Sequence, residues 1–125
     1  MAAFTRQQIE DAIRAMGVLD LSGQDLQGLD LARLKLRRTK MGKAKLSEAD
    51  LSDADLLWVD LHEADLQGAT LIRADLRGAN LQGTNLSGAD LREANLGNEG
   101  REMGAHIFFA DLRGADLRGA DLRGA

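Results

Sequence analysis

Cysteine, proline and tyrosine are absent from this chain of 125 residues, and aromatic side chains make up only 3% of it. The missing cysteines remove disulfides, thiol catalysis and thiolate metal sites together, and lend no support to an oxidising compartment. Three phenylalanines and one tryptophan supply all the aromatic bulk. A core must therefore be built from one repeated, medium-sized side chain, which is not how an enzyme core is usually made. No apolar run approaches the roughly 18 to 20 residues of a membrane-spanning helix, and the N-terminus lacks the basic-then-apolar layout of a secretory leader. The expectation is a cytoplasmic protein without a membrane partner. A strong excess of either charge is lacking too. The net charge of −4 gives the whole-molecule field little to offer nucleic acid or an anionic membrane. The length allows one domain.

What the chain has is leucine at a fixed interval. Leucines recur every five residues from Leu21 to Leu96, with Met41 the one substitute, which makes sixteen repeats. Two residues before most of them stands a small residue, such as Ala44, Ala49 or Ala54, and one residue before stands mostly Asp or Asn. After Leu96 the phase breaks and resumes one position out at Ile107, Leu112, Leu117 and Leu122, giving twenty repeats in all. A period of five fits neither the 3.6 of a helix nor the 2.0 of a strand, so no single element can hold these leucines on one face. The chain must turn within every repeat. Gly and Asx residues between the leucines supply that turn chemistry. Stacked turns can pair their backbones at about 4.8 Å around a leucine interior.

Blocks such as Ala49-Asp50-Leu51-Ser52-Asp53 and Ala74-Asp75-Leu76-Arg77-Gly78 resemble the A(D/N)LXX consensus of pentapeptide-repeat proteins. The resemblance covers residues 19–125 apart from an interruption at 97–104. It implies an all-β solenoid, a right-handed quadrilateral β-helix with four repeats per coil. The leucine and the small residue then point inward, and twenty repeats make about five coils, a stack roughly 24 Å tall.

Residues 1–18 form a separate unit. Thr5 and Gln8 read as a capping box with Phe4 and Ile9 as its staple; Ile9, Ala12, Ile13 and Met16 form one stripe, and Gly17 stands at C′. This predicts an α-helix that caps the first coil. The C-terminal repeats stop at Ala125 with no such cover, so the last coil is expected to be an association surface. A homo-oligomer through this uncapped coil is one expected use, and relatives in the resembled family often pair that way.

With four repeats per coil, residues twenty apart become vertical neighbours. The basic stretch 33–45 carries seven positive charges and no acid. Folded, Lys40 lies between Asp20 and Asp60, Lys45 between Asp25 and Asp65, Lys35 under Asp55 and Lys43 under Glu63. Arg33 opens the ladder Arg33-Asp53-Arg73-Glu93. Such cross-strand pairs contribute about 0.2 to 1 kcal/mol each, so the stretch specifies register rather than binding nucleic acid. Arg37 and Arg38 are left without acidic neighbours on this map, and Arg38 lies under Trp58, where a cation–π contact is expected.

No catalytic constellation, metal site or cofactor motif emerges. The Asx positions read as turn chemistry, His62 and His106 are isolated, and the glycines punctuate repeats without forming a phosphate loop. Two features depart from consensus. Leu57, Trp58 and Ile72 stand at outward positions near one corner of the second and third coils, as an interface anchor does. The GNEGREMG segment, residues 97–104, reads as a six-residue insertion bulging from the wall; if Ile107 takes the next inward slot, Phe108 and Phe109 lie just beyond it. The expected function is a non-enzymatic scaffold that binds a protein partner or itself. The resemblance implies an alternative, a DNA mimic that binds type II topoisomerase and gives quinolone resistance.

Overall fold

The structure, a computed structural model, describes residues 4–97 and 110–125, except for the side chain of Met16. Helix α1 (Arg6–Met16) starts where Thr5 and Gln8 cap each other: Thr5 Oγ1 accepts the Gln8 N–H at 3.2 Å and Gln8 Oε1 accepts the Thr5 N–H at 2.9 Å. It stops at Gly17, whose φ of 77° lets its N–H reach Ile13 O at 2.9 Å. Ile9 is buried in the core, and Phe4, Ala12 and Ile13 pack against it. Arg6 donates to Asp30 O and Oδ1, both at 3.1 Å, and so ties the helix to the first coil.

From Asp20 onward the residue before each leucine pairs in parallel with its counterpart one circuit on. Among the described residues fifteen such bridges build four columns, which begin at Asp20, Asp25, Asp30 and Lys35. Their step is twenty residues up to Asn95, so four five-residue sides close each circuit. The bonding runs both ways: Leu21 N–H donates to Lys40 O at 2.7 Å, and Lys40 N–H donates back to Leu19 O at 2.9 Å. Each corner is a tight turn, as where Ala44 N–H meets Met41 O at 3.1 Å. The second residue after the leucine takes a positive φ there. Among the described residues glycine fills nine of these positions, and nine others hold non-glycine residues with φ between 54° and 64°. An Asp or Asn before the leucine braces the same turn by accepting the N–H two residues on, at 2.9–3.2 Å, as Asp20, Asp50 and Asn80 all do.

Inside stand pillars of leucine, fully buried from Leu36 to Leu91, with the equally buried Met41 in the same row, beside a row of buried alanines. Full burial of each leucine is worth about 1.5–3 kcal/mol. Near α1 the small position instead holds Leu19, Leu29 and Leu34. Thr84 occupies it deeper in the stack and satisfies its hydroxyl by donating to Leu61 O at 2.8 Å.

The break after Leu96 is larger than the leucine phase suggests. Asn80 pairs with Asp111, Asn85 with Asp116 and Asp90 with Asp121, a step of 31 in place of twenty, so eleven residues stand outside the ladder and not six. Ala110 takes the small position, its N–H on Leu96 O at 2.7 Å, and Leu112 holds the next inward slot. The four columns therefore contain nineteen paired sides among the described residues, not twenty. Ile107, His106, Phe108 and Phe109 lie outside the described residues.

Candidate protein-docking wall

The wall built on the Lys35 column carries Arg37, Leu57 and Arg77 in one row and Arg38, Trp58 and Gly78 in the next. Register is fixed by Arg38 N–H on Leu57 O at 2.9 Å and Trp58 N–H on Arg77 O at 3.0 Å. Trp58 is 37% exposed. Its indole reaches over Gly78 in the following coil, where an added Cβ would meet Cε3, Cδ2 and Cζ3 at 2.6–2.8 Å. A bulky residue at φ 60° is a backbone outlier. The other non-glycine residues at positive φ among the described residues are all charged and exposed. Leu57 is half-buried beside Trp58. Ile72, also half-buried, belongs to the neighbouring wall, where it lines a shallow 190 Å³ groove with Arg73, Arg92 and Glu93. Two of the three corner residues thus share a wall, and the third faces charge.

Arg37 differs from the sequence map. Its guanidinium reaches back two positions to Asp55 in the coil above, with Nη2 at 3.0 Å from Oδ2. Columns of like position missed this because an arginine spans two residues of an adjacent strand. The ladder through Asp53 is present, with Arg73 Nε 2.9 Å from Asp53 and Nη1 3.8 Å from Glu93, and Lys43 lies 3.5 Å from Glu63. A different pairing dominates the later coils. Arg77, Arg92, Arg113, Arg118 and Arg123 each fold back onto the Asp two residues earlier, at 2.6–2.7 Å. The Arg118 side chain, followed by its own backbone N–H, holds Asp116 at a pKa of about 2. Arg113 and Gln82 hold Asp111 well below the usual carboxylate range.

No spacing of residues foretold a groove between α1 and this wall. It is lined by Ile13, Gly17 and Val18 on one side and by Lys35, Arg37, Arg38 and Asp55 on the other, with a volume of about 630 Å³. Val18 is 51% exposed. A second groove, of about 510 Å³, holds His62, whose Nδ1 is 2.7 Å from Asp60 Oδ1 and whose ring lies against Gly42. Among the described residues its lining contains no hydroxyl or thiol. No helix among the described residues is long and apolar enough to cross a membrane.

A closed four-sided coil with a leucine interior, walls of turns and shallow outer grooves defines a β-solenoid of the repeat class. The chain matches the model of the pentapeptide repeats in eight copies, over residues 19–53, 60–98 and 103–125, and it belongs to that family. Its fold is accordingly the right-handed quadrilateral β-helix, here with one N-terminal helix. Among solved structures it is similar to a pentapeptide repeat protein of the Arabidopsis thaliana thylakoid lumen, with 33% identity and a TM-score of 0.70 over 82% of this chain and 64% of that one. It is also similar to Rfr23 from the cyanobacterium Cyanothece 51142, with 30% identity and a TM-score of 0.43 over 82% of this chain and 56% of that one. QnrB1, a plasmid-mediated fluoroquinolone resistance protein, is 28% identical with a TM-score of 0.49 over 84% of this chain and 58% of its own. The chain thus spans between about half and two thirds of the length of these structures. Among curated proteins, none matches by sequence.

Proposed function

We propose that the chain is a non-enzymatic scaffold whose Lys35-column wall docks another protein through Leu57 and Trp58. One observation carries this reading. A bulky aromatic residue is kept at positive φ, in a conformation costing about 1–3 kcal/mol, and is displayed on the outside of the wall. Interfaces draw much of their energy from such exposed aromatic anchors. Ile72, on the adjacent wall, extends the same corner, and Phe108 and Phe109 follow the insertion as further candidates. The cytoplasmic reading draws on the missing cysteines, and the relative from the thylakoid lumen shows the fold at work elsewhere.

The test is capture of partners by the wild-type chain and by Trp58→Ala, compared by quantitative mass spectrometry. The reading expects one protein to be lost with the indole while the thermal midpoint stays within a few degrees. Identical capture by both would remove the wall from consideration. A gyrase supercoiling assay addresses the DNA-mimic alternative, for which Lys35, Lys40 and Lys45 break the acidic columns; inhibition or protection at stoichiometric amounts would favour it over the scaffold. Self-association has its own candidate surface. The N–H groups of Leu112, Leu117 and Leu122 have no backbone partner among the described residues, and light scattering across a concentration series reads whether a second copy pairs there.

A further inference from the structure

The groove between α1 and the Lys35 wall has two unlike sides. Ile13 and the exposed Val18 form an apolar lip that follows directly from the Gly17 cap. Lys35, Arg37 and Arg38 form the other side, and Asp55 is the acid among the lining residues. That acid is taken: its Oδ2 accepts from Arg37 at 3.0–3.1 Å, and its Oδ1 accepts the Leu57 N–H. Lys35 and Arg38 make no ion pair among the described residues. The groove therefore presents two cations that make no close ion pair among the described residues, across from an aliphatic lip, in a chain whose net charge is −4. Trp58 stands in register above Arg38, one coil further.

We infer that this groove takes an acidic peptide segment bearing an apolar side chain, its carboxylates on Lys35 and Arg38 and its apolar group on Ile13 and Val18. The inference rests on the docking reading above and names the partner's chemistry. Charge complementarity selects an acidic occupant, because like-charge juxtaposition penalises a basic one. The aliphatic lip selects a peptide over a nucleic acid. Tight nucleic-acid binding needs about six to ten phosphate contacts, whereas two cations beside the acidic Asp55 and Asp75 cannot neutralise a continuous phosphate backbone. Trp58 gives the segment an aromatic face on which to continue up the wall.

The probe is a random dodecapeptide library displayed on phage and selected on the full chain. Selected sequences should combine at least two Asp or Glu residues with an aliphatic or aromatic one. A synthesised winner should shift the fluorescence of Trp58, the chain's one tryptophan. Lys35→Glu with Arg38→Glu should weaken binding at least about ten-fold, and Val18→Asp should do the same. Arg38→Gly guards against a folding artefact, because glycine accepts φ 62° and removes only the cation. Selected peptides without acidic bias, or full binding by the charge-reversed chain, would overturn the inference. So would binding of a fluorescein-labelled twenty-base-pair duplex in preference to the peptide. Binding lost in Trp58→Ala with Leu57→Ser but intact in the charge-reversed chain would retain the docking wall and reject the groove. Binding intact in all variants would reject both.

Discussion

The first coil and the last coil are made of the same five-residue side and differ in what covers them. In the first, Leu21, Leu26 and Leu31 are 6%, 0% and 1% exposed, because Ile9 closes the end and Leu19, Leu29 and Leu34 thicken the small position. In the last, Leu112 and Leu117 are half-buried, Leu122 is 40% exposed, and the small positions are all alanine. Charges follow the same division. Near α1 they join separate elements, through Arg6 with Asp30, Arg37 with Asp55 and Lys43 with Glu63. At the far end each arginine pairs inside its own repeat. A repeat thus sets which side chains point inward, and its neighbours decide what that burial is worth.

One substitution made in both regions should separate them most clearly. Leu66→Ala should cost about 2–5 kcal/mol, the range for a fully buried leucine that leaves a cavity. Leu122→Ala should cost well under half of that, since much of its side chain already meets water. Urea unfolding reads both, and equal losses would show that the last coil is as well packed as the middle. The glycines offer a second contrast. Gly78→Ala must adopt φ 68° and displace the Trp58 ring, and should lose about 1–3 kcal/mol. Gly28→Ala has the same φ with nothing within 4 Å, so it isolates the backbone part, about 1 kcal/mol or slightly more. The difference between them should vanish in a Trp58→Ala background, which a double-mutant cycle measures. Thr5→Ala removes one half of the cap on α1 and should cost about 1 kcal/mol. If α1 secures the first coil, calorimetry should register that loss in the main transition and not as helix fraying alone.

The interval between leucines made the solenoid and the Asx-braced turns legible, while the four columns came from the resemblance of the repeat blocks, because a period of five does not by itself set the number of sides in a circuit. The capping helix was legible from Thr5, Gln8 and Gly17, which announce themselves locally. The eleven-residue step was not, since phase counts positions modulo five and cannot see a whole extra side. Arg37 on Asp55 and Arg118 on Asp116 were hidden for another reason: a long side chain spans two backbone positions, along or across strands, and a column map assigns it one. The alternation of Asp with Arg two residues later, repeated from Asp111 to Arg123, was the available signal. Trp58 over Gly78 could have been read from the twenty-residue step, large above small. The Ile13–Val18 lip depends on where α1 comes to rest, and no spacing in the sequence encodes that.

The smallest effect expected is also the most local, the response of the last coil to acid. Asp111, Asp116 and Asp121 are all depressed below their ordinary values, chiefly by hydrogen bonds from Arg113, Arg118 and Arg123. In the first coil Asp20 is depressed too, by its bond to Ser22. A carboxylate with a lowered folded pKa stabilises the fold above its unfolded value, near 4, and that contribution disappears as pH falls through the folded value. For Asp116 the window runs from about 4 down to about 2. These side chains lie at the surface and solvent screens them, so the loss should loosen the last coil without unfolding the stack. Carbon-detected titration should place the Asp116 midpoint near 2, and Arg118→Gln should return it toward 4. Intrinsic-rate-corrected exchange should show Gly83 and Gly88 N–H, which donate to Arg113 O and Arg118 O, losing protection in that window while Gly23 and Gly28 keep theirs. Equal loss at both ends would mean that in-repeat pairing confers no special acid sensitivity. The contrast between the two coils would then be one of packing alone.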